Sequence, residues 1–152
     1  MQKEPSALPD HLGYWLRKLS NAVSGSFAQR LAIHDVSVPQ WVVLRVLFDG
    51  GSLPLKEIVA RVEVDQGSLS RMVDRLIARG WVRRDADGTD RRAVAISLTR
   101  EGRCLVPKLA AEADANDKAF FSGLRRTERE KFLRTIQALL SQHQSDGRSP
   151  IA

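Results

Sequence analysis

Cysteine is almost missing: Cys104 is the only one in 152 residues, so no disulfide can close within the chain. A reducing compartment is the natural reading. Long apolar runs are missing too. Nowhere do about 18 apolar residues follow one another, which argues against a helical membrane span. The amino terminus, MQKEPSALPD, has no apolar stretch that would serve as a secretory signal. A cytoplasmic protein with no membrane partner is expected. Histidine is scarce, and His11, His34 and His143 have no nucleophile or carboxylate spaced to serve them. With no metal-ligand cluster and no Gly-rich phosphate loop, neither an enzyme nor a bound cofactor or metal is expected. Internal repeats and low-complexity tracts are absent as well.

What the chain does have is basic charge. Twenty-four Lys and Arg stand against 18 Asp and Glu, a formal net charge of +6. A polyanionic partner is therefore the first guess, although the location of the charge matters more than its sum. An apolar fraction of 43% over this length suits one domain with a real core, spanning residues 1–152, and is too little chain for two large ones.

Met1 to Pro9, polar and with two prolines, reads as a loose arm, and Asp10 as the N-cap of a first helix. Leu12, Trp15, Leu16, Leu19, Val23, Phe27 and Leu31 recur at helical spacing, and this helix runs to about Ile33. A helix so long cannot bury its whole stripe in a small core, so part of it is expected to pack on a partner subunit. Ser37-Val38-Pro39 restarts the chain. The next helix holds Trp41, Val42, Leu44, Val46, Leu47 and Phe48, is apolar nearly all round, and ends at Gly50-Gly51. Pro54 to about Val62 forms a short helix with Leu55, Ile58, Val59 and Val62 inward.

The stretch from Asp65 to Gly102 organises the rest. Asp65 caps a helix whose buried stripe is Leu69, Met72, Val73, Leu76 and Ile77. Its other face carries Gly67, Arg71, Asp74 and Ala78, with Arg75 on the flank. Two short helices in succession, the second with an exposed polar face, make a helix-turn-helix. Gly80 closes the second helix, Trp81 to Asp85 reads as a strand, and Asp87-Gly88-Thr89-Asp90 as a turn. Val94, Ile96 and Leu98 then alternate with Ala95, Ser97 and Thr99 in a return strand. The fold class is therefore mainly α with a small β-hairpin wing, a winged helix-turn-helix plus a helical dimerisation region.

Thr99, Glu101 and Gly102 open a helix whose stripe is Leu105, Leu109, Ala113 and Phe120. Ser122-Gly123-Leu124 breaks it. Thr127 and Glu130 have the spacing of a capping box, and the last helix is expected to bury Phe132, Ile136, Leu139 and Leu140.

The words Val73-Asp74-Arg75-Leu76, Arg79-Gly80-Trp81-Val82 and Asp90-Arg91-Arg92 through Leu98-Thr99 resemble the MarR family of bacterial transcription regulators. The resemblance runs from about Leu12 to Leu140. It implies a homodimer in which helices at about 10–34 and 100–144 interlock with a second copy and leave two winged helices, at about 37–99, free to bind double-stranded DNA. It also implies a pseudo-palindromic operator, usually repression, and in many members release by a small aromatic or acidic effector.

A recognition helix entering the major groove with its amino-terminal half leading presents Gln66, Gly67, Ser68, Ser70 and Arg71, with Arg75 beside them. Glutamine can pair with adenine and arginine with guanine through two hydrogen bonds each. Gly67 costs a helix about 1 kcal/mol relative to alanine, which suits a backbone that must approach a phosphate or base. The plain alternative is a solvated first turn. The wing offers Arg83, Arg84, Arg91 and Arg92 to a narrow minor groove or its phosphates. By resemblance, Asp90 braces an arginine such as Arg75 or Arg92.

Trp15, Phe27 and Trp41, with His11, Arg17 and Lys18 at the rim, are read as lining an effector pocket, against the alternative of ordinary core aromatics. Cys104, with Arg100 and Arg103 nearby, suits either a thiol redox sensor or a small buried filler. A winged-helix module for non-specific DNA packaging or for protein contacts is the rival to a sequence-specific regulator.

Overall fold

The computed structural model describes residues 5–62, 64–86 and 94–145. After a single 3-10 turn at Leu8–Asp10, the elements are α1 (Leu12–Ala32), α2 (Val38–Gly50), β1 (Leu53–Pro54), α3 (Leu55–Val62), α4 (Gln66–Ala78), β2 (Val82–Ala86), β3 (Val94–Leu98), α5 (Arg100–Phe121) and α6 (Arg126–Ser145). They divide into two compact units, residues 1–116 and 117–152.

In the first unit α2 and α4 form where the sequence supplies both a cap and a stripe. Ser37 and Gln40 start α2 as a reciprocal capping box, with Pro39 in the first turn, and Gly51 ends it at φ +74°. Asp65 starts α4 by accepting the Ser68 N–H at 2.8 Å. Leu31, Val43, Leu44, Leu47, Ile58, Leu69, Val73, Leu76, Val106 and Leu109 then close on one another in a continuous core with Val82, Ile96 and Leu98 from the strands. Met72, Ile77, Trp41 and Phe27 pack around it, partly buried.

The sheet has three antiparallel strands in the order β1-β3-β2, so the expected hairpin gains a strand. Leu53 pairs with Ile96 and Pro54 with Ala95, while Val82 to Ala86 pairs with Leu98 to Val94. Pro54 sits on the edge strand, where its missing N–H costs no ladder bond. In β3, Ile96, Ser97 and Leu98 are all buried while Val94 is exposed, so the inward alternation expected of this strand fails at its wing end.

Several local expectations change. Asp10 does not cap α1; His11 holds the N-cap position without a side-chain bond, and the Asp10 carboxylate instead accepts the Ala7 N–H at 3.1 Å. Leu8–Asp10 is therefore an ordered turn rather than part of a loose arm. Cys104 is exposed, not a buried filler, because Gly102, Val106 and Leu109 take the inward face of α5. Asn116 is also inward, 4% exposed, and donates to the Val23 carbonyl at 3.2 Å, tying α5 to α1. On α1 only Leu31 is buried, whereas Leu12 is 80% and Trp15 51% exposed.

In the second unit, Thr127 and Glu130 form no capping box. The helix starts two residues earlier, so Glu128 occupies the third position and accepts the Arg125 N–H at 2.8 Å. Glu130 pairs with Arg126 at 2.9 Å and Asp117 with Arg129. Phe132 and Ile136 are half-buried, but Leu139 and Leu140 are 49% and 57% exposed, so the expected burial of α6 is not met within one chain. With Phe121, Leu124 and Leu133, Phe132 and Ile136 line an apolar cleft of about 150 Å³.

Candidate nucleic-acid interface

The interface is built on α4. Because Leu69, Val73 and Leu76 are wholly buried, the residues between them are forced outward: Gln66, Gly67, Arg71, Asp74, Arg75 and Ala78 are all exposed. Ser68 and Ser70 are half-buried on the flanks. The helix start is held by the Asp65 carboxylate. Its hydrogen bonds from Ser68, and more weakly the nearby Arg71 charge, hold its pKa below the ordinary carboxylate value. Arg71 lies back over the first turn, with Nη2 donating to the Ser68 hydroxyl at 3.3 Å. A Cβ at Gly67 would meet only Asp65 Oδ1 at 3.3 Å and Arg71 Nη1 at 3.7 Å. Nothing else in the described protein fills the space over this glycine.

A Schellman turn links α4 to the wing. Gly80, at φ +72°, and Trp81 donate to the carbonyls of Ile77 and Leu76 at 2.8 and 3.1 Å. The Thr99 hydroxyl donates to the Gly80 carbonyl at 2.6 Å and accepts the Gly102 N–H at 3.1 Å, so one side chain ties the turn to the start of α5. Arg79 stacks on Trp81, 4.1 Å from the ring centroid, and reaches the Asp35 carbonyl at 3.3 Å.

The wing arginines have partners that spacing did not reveal. Arg84 Nη2 meets Asp74 Oδ1 at 2.6 Å, joining β2 to α4. On the opposite face of β2, Arg83 Nε lies 3.1 Å from Asp85 Oδ1 and donates to the Ser97 hydroxyl at 3.1 Å, while that hydroxyl donates to Asp85 Oδ2 at 2.6 Å. Asp85 and Ser97 come together because Arg83 and Ser97 are cross-strand partners. Asp90, Arg91 and Arg92 lie outside the described residues.

The residues read as an effector pocket are not gathered in one place. Trp41 packs edge-on to Phe27, with centroids 6.3 Å apart, as a wall of the core. Trp15 lies twelve residues before Phe27 on the same helix, a rise of about 18 Å. It donates instead to the Pro9 carbonyl at 2.8 Å and packs edge-on to Tyr14. His11 is exposed at the helix start. A different, open cavity of about 770 Å³ lies at the corner between α1 and α2, lined among others by Ala28, Ala32, Val36 and Pro39. Its small α1 side chains leave no periodic large-residue signal, so sequence reading passed it over. Among the described residues, no group of three or more His, Cys, Asp or Glu side chains is placed to hold a metal ion, and no helix is long and apolar enough to cross a membrane.

This arrangement matches known proteins. The MarR family model matches residues 36–94, which run from the connection between α1 and α2 to the first residue of β3. The transcriptional regulator TtmR of Methylorubrum extorquens is 37% identical over 106 residues, 70% of this chain and 54% of TtmR, so the chain spans about half the length of that relative. The transcriptional repressor NicR of Pseudomonas putida is 26% identical over 147 residues, 97% of this chain and 93% of NicR. Among solved structures, BpsR of Bordetella bronchiseptica, whose DNA binding is regulated by 6-hydroxynicotinic acid, superposes with a TM-score of 0.80 at 28% identity, covering 89% of this chain and 96% of BpsR. Sequence words, element order and superposition agree: the chain belongs to the MarR family of winged helix-turn-helix transcription regulators.

Proposed function

We propose that the protein is a homodimeric repressor that reads a pseudo-palindromic operator in double-stranded DNA and releases it when a small aromatic or acidic effector binds. The observation that carries the reading is the exposed, capped start of α4. There Gln66, Gly67 and Arg71 face outward on a helix locked to its wing, with Ser68 and Ser70 at the edges. Gln66 and Arg71 read base edges, Arg75 takes the flanking backbone, Arg91 and Arg92 reach the minor groove, and Asp90 braces an arginine such as Arg75 or Arg92. Residues 37–99 form the reading head. Helices at 10–34 and 100–144 form the dimer, and the uncovered leucines of α1 and α6 support that assignment. Symmetry then spaces the half-sites about 34–36 Å apart.

The effector class rests on BpsR, whose DNA binding is regulated by an aromatic acid. Quenching of tryptophan fluorescence by a panel of aromatic acids and thioesters tests it.

The decisive experiment is selection from a random duplex library, followed by footprinting with Arg71→Ala and Arg92→Ala. Arg71→Ala should cost about 1–3 kcal/mol and relax base preference, while Arg92→Ala should weaken binding with little change in preference. Unchanged footprints in both variants reject the assignment. A specificity ratio near one would turn the reading toward non-specific packaging.

A further inference from the structure

A carboxylate on a helix face that meets DNA needs an explanation. Asp74 stands on that face one turn after Arg71 and two turns after Gly67, and it is exposed. Phosphates would repel it, and the helix would be the better polyanion binder without it. Its partner resolves the conflict. In β2, Val82 and Arg84 share the inward face of the strand; Val82 is 2% exposed in the core, and Arg84, two residues farther along the wing, reaches Asp74 at 2.6 Å. Each side chain keeps roughly half of its surface in solvent.

We propose that Asp74 is a positioning residue that sets DNA specificity: it fixes the first wing strand on the recognition helix and keeps Arg84 out of the phosphate contacts. The inference rests on the DNA-reading function proposed above. In free solution an exposed pair of this kind adds little to stability. When DNA approaches and water leaves, the same pair strengthens, because the screening that weakened it is removed. Asp74 thereby withholds one positive charge from sequence-independent binding. It also makes helix and wing a single body, so that wing arginines meet the backbone only in the register in which α4 meets its bases.

The test uses the full-length protein, a duplex selected by the native chain from a random library, and a scrambled duplex of equal composition, each titrated across a salt series. Asp74→Asn should release Arg84 to a phosphate. It should bind the scrambled duplex about 3–10-fold more tightly, steepen the log–log salt slope by about one, and lower the specificity ratio, with the melting temperature unchanged. Arg84→Gln should weaken both complexes through the uncovered carboxylate. The double variant Asp74→Asn with Arg84→Gln should return to the native slope, because no arginine is released. The charge swap Asp74→Arg with Arg84→Asp should regain most of the native ratio. A native slope and ratio in Asp74→Asn overturn the proposal, as does a double variant as steep as Asp74→Asn or a swap no better than the single changes. If the native chain selects no sequence, the regulator reading falls as well. If it selects one and Asp74→Asn behaves as native, only this proposal falls.

Discussion

Gly102 lies directly on the carbonyl of Trp81, so close that a methyl group built on its α-carbon would overlap that oxygen. The carbonyl cannot turn away, because it already accepts the Thr99 N–H at 3.0 Å. Leu98 closes the third side at 3.3 Å. At this one point the first turn of α5 is seated on the joint between α4 and the wing. Gly102→Ala should therefore destabilise the first unit by about 1–3 kcal/mol, the usual cost of overpacking a filled site. Denaturant unfolding checks it, and an unchanged midpoint would show that the joint can relax.

Gly67 is the opposite case. A Cβ there meets nothing tighter than Asp65 Oδ1 at 3.3 Å, and alanine is the better helix former by up to about 1 kcal/mol. Gly67→Ala should leave thermal stability equal or higher and weaken operator binding about tenfold. A variant that binds as well as native would assign the glycine no role in contact.

The Asp65 carboxylate has its pKa lowered by the hydrogen bonds from Ser68. A group lowered in the folded state contributes stability that is present above its unfolded pKa and is lost as pH falls through the folded value. On acidification the start of α4 should therefore open, seen as lower amide protection factors at Ser68 and Leu69. Asp65→Asn can still accept the bond but does not titrate, so its protection factors should be flat over the same pH range.

Leu139 and Leu140 should lie in the dimer contact. Replacing both with lysine should leave helical content unchanged by circular dichroism and convert the dimer to monomer in sedimentation. Operator affinity should fall by several orders of magnitude, because only a half-site remains. A dimer that persists would place the contact elsewhere.

Much of this was readable because the signals were local. The stripe Leu69, Val73, Leu76 has one helical solution that buries it, and once it is buried Gln66, Gly67 and Arg71 have to face out. Gly80 and Asp65 mark the two ends of α4 for equally local reasons. The failures share a different cause. Thr127 lost the cap to Arg125 and Glu128 because two overlapping box spacings compete and only geometry chooses between them. Leu53 and Pro54 joined a sheet through a partner more than forty residues away, and a two-residue strand carries no period.

By itself, then, the sequence determined the order of the helices and of the two wing strands, the apolar stripe that turns α4 outward, and the family words of the wing. These depend on near neighbours and on backbone preference. Only the tertiary structure decided that Asp74 faces Arg84, that Cys104 is exposed, that Trp15 and Trp41 part company, and that α5 is seated on the Trp81 carbonyl. Each of those depends on where two distant pieces of chain meet, which is set by the packing of the whole core rather than by any residue's own spacing.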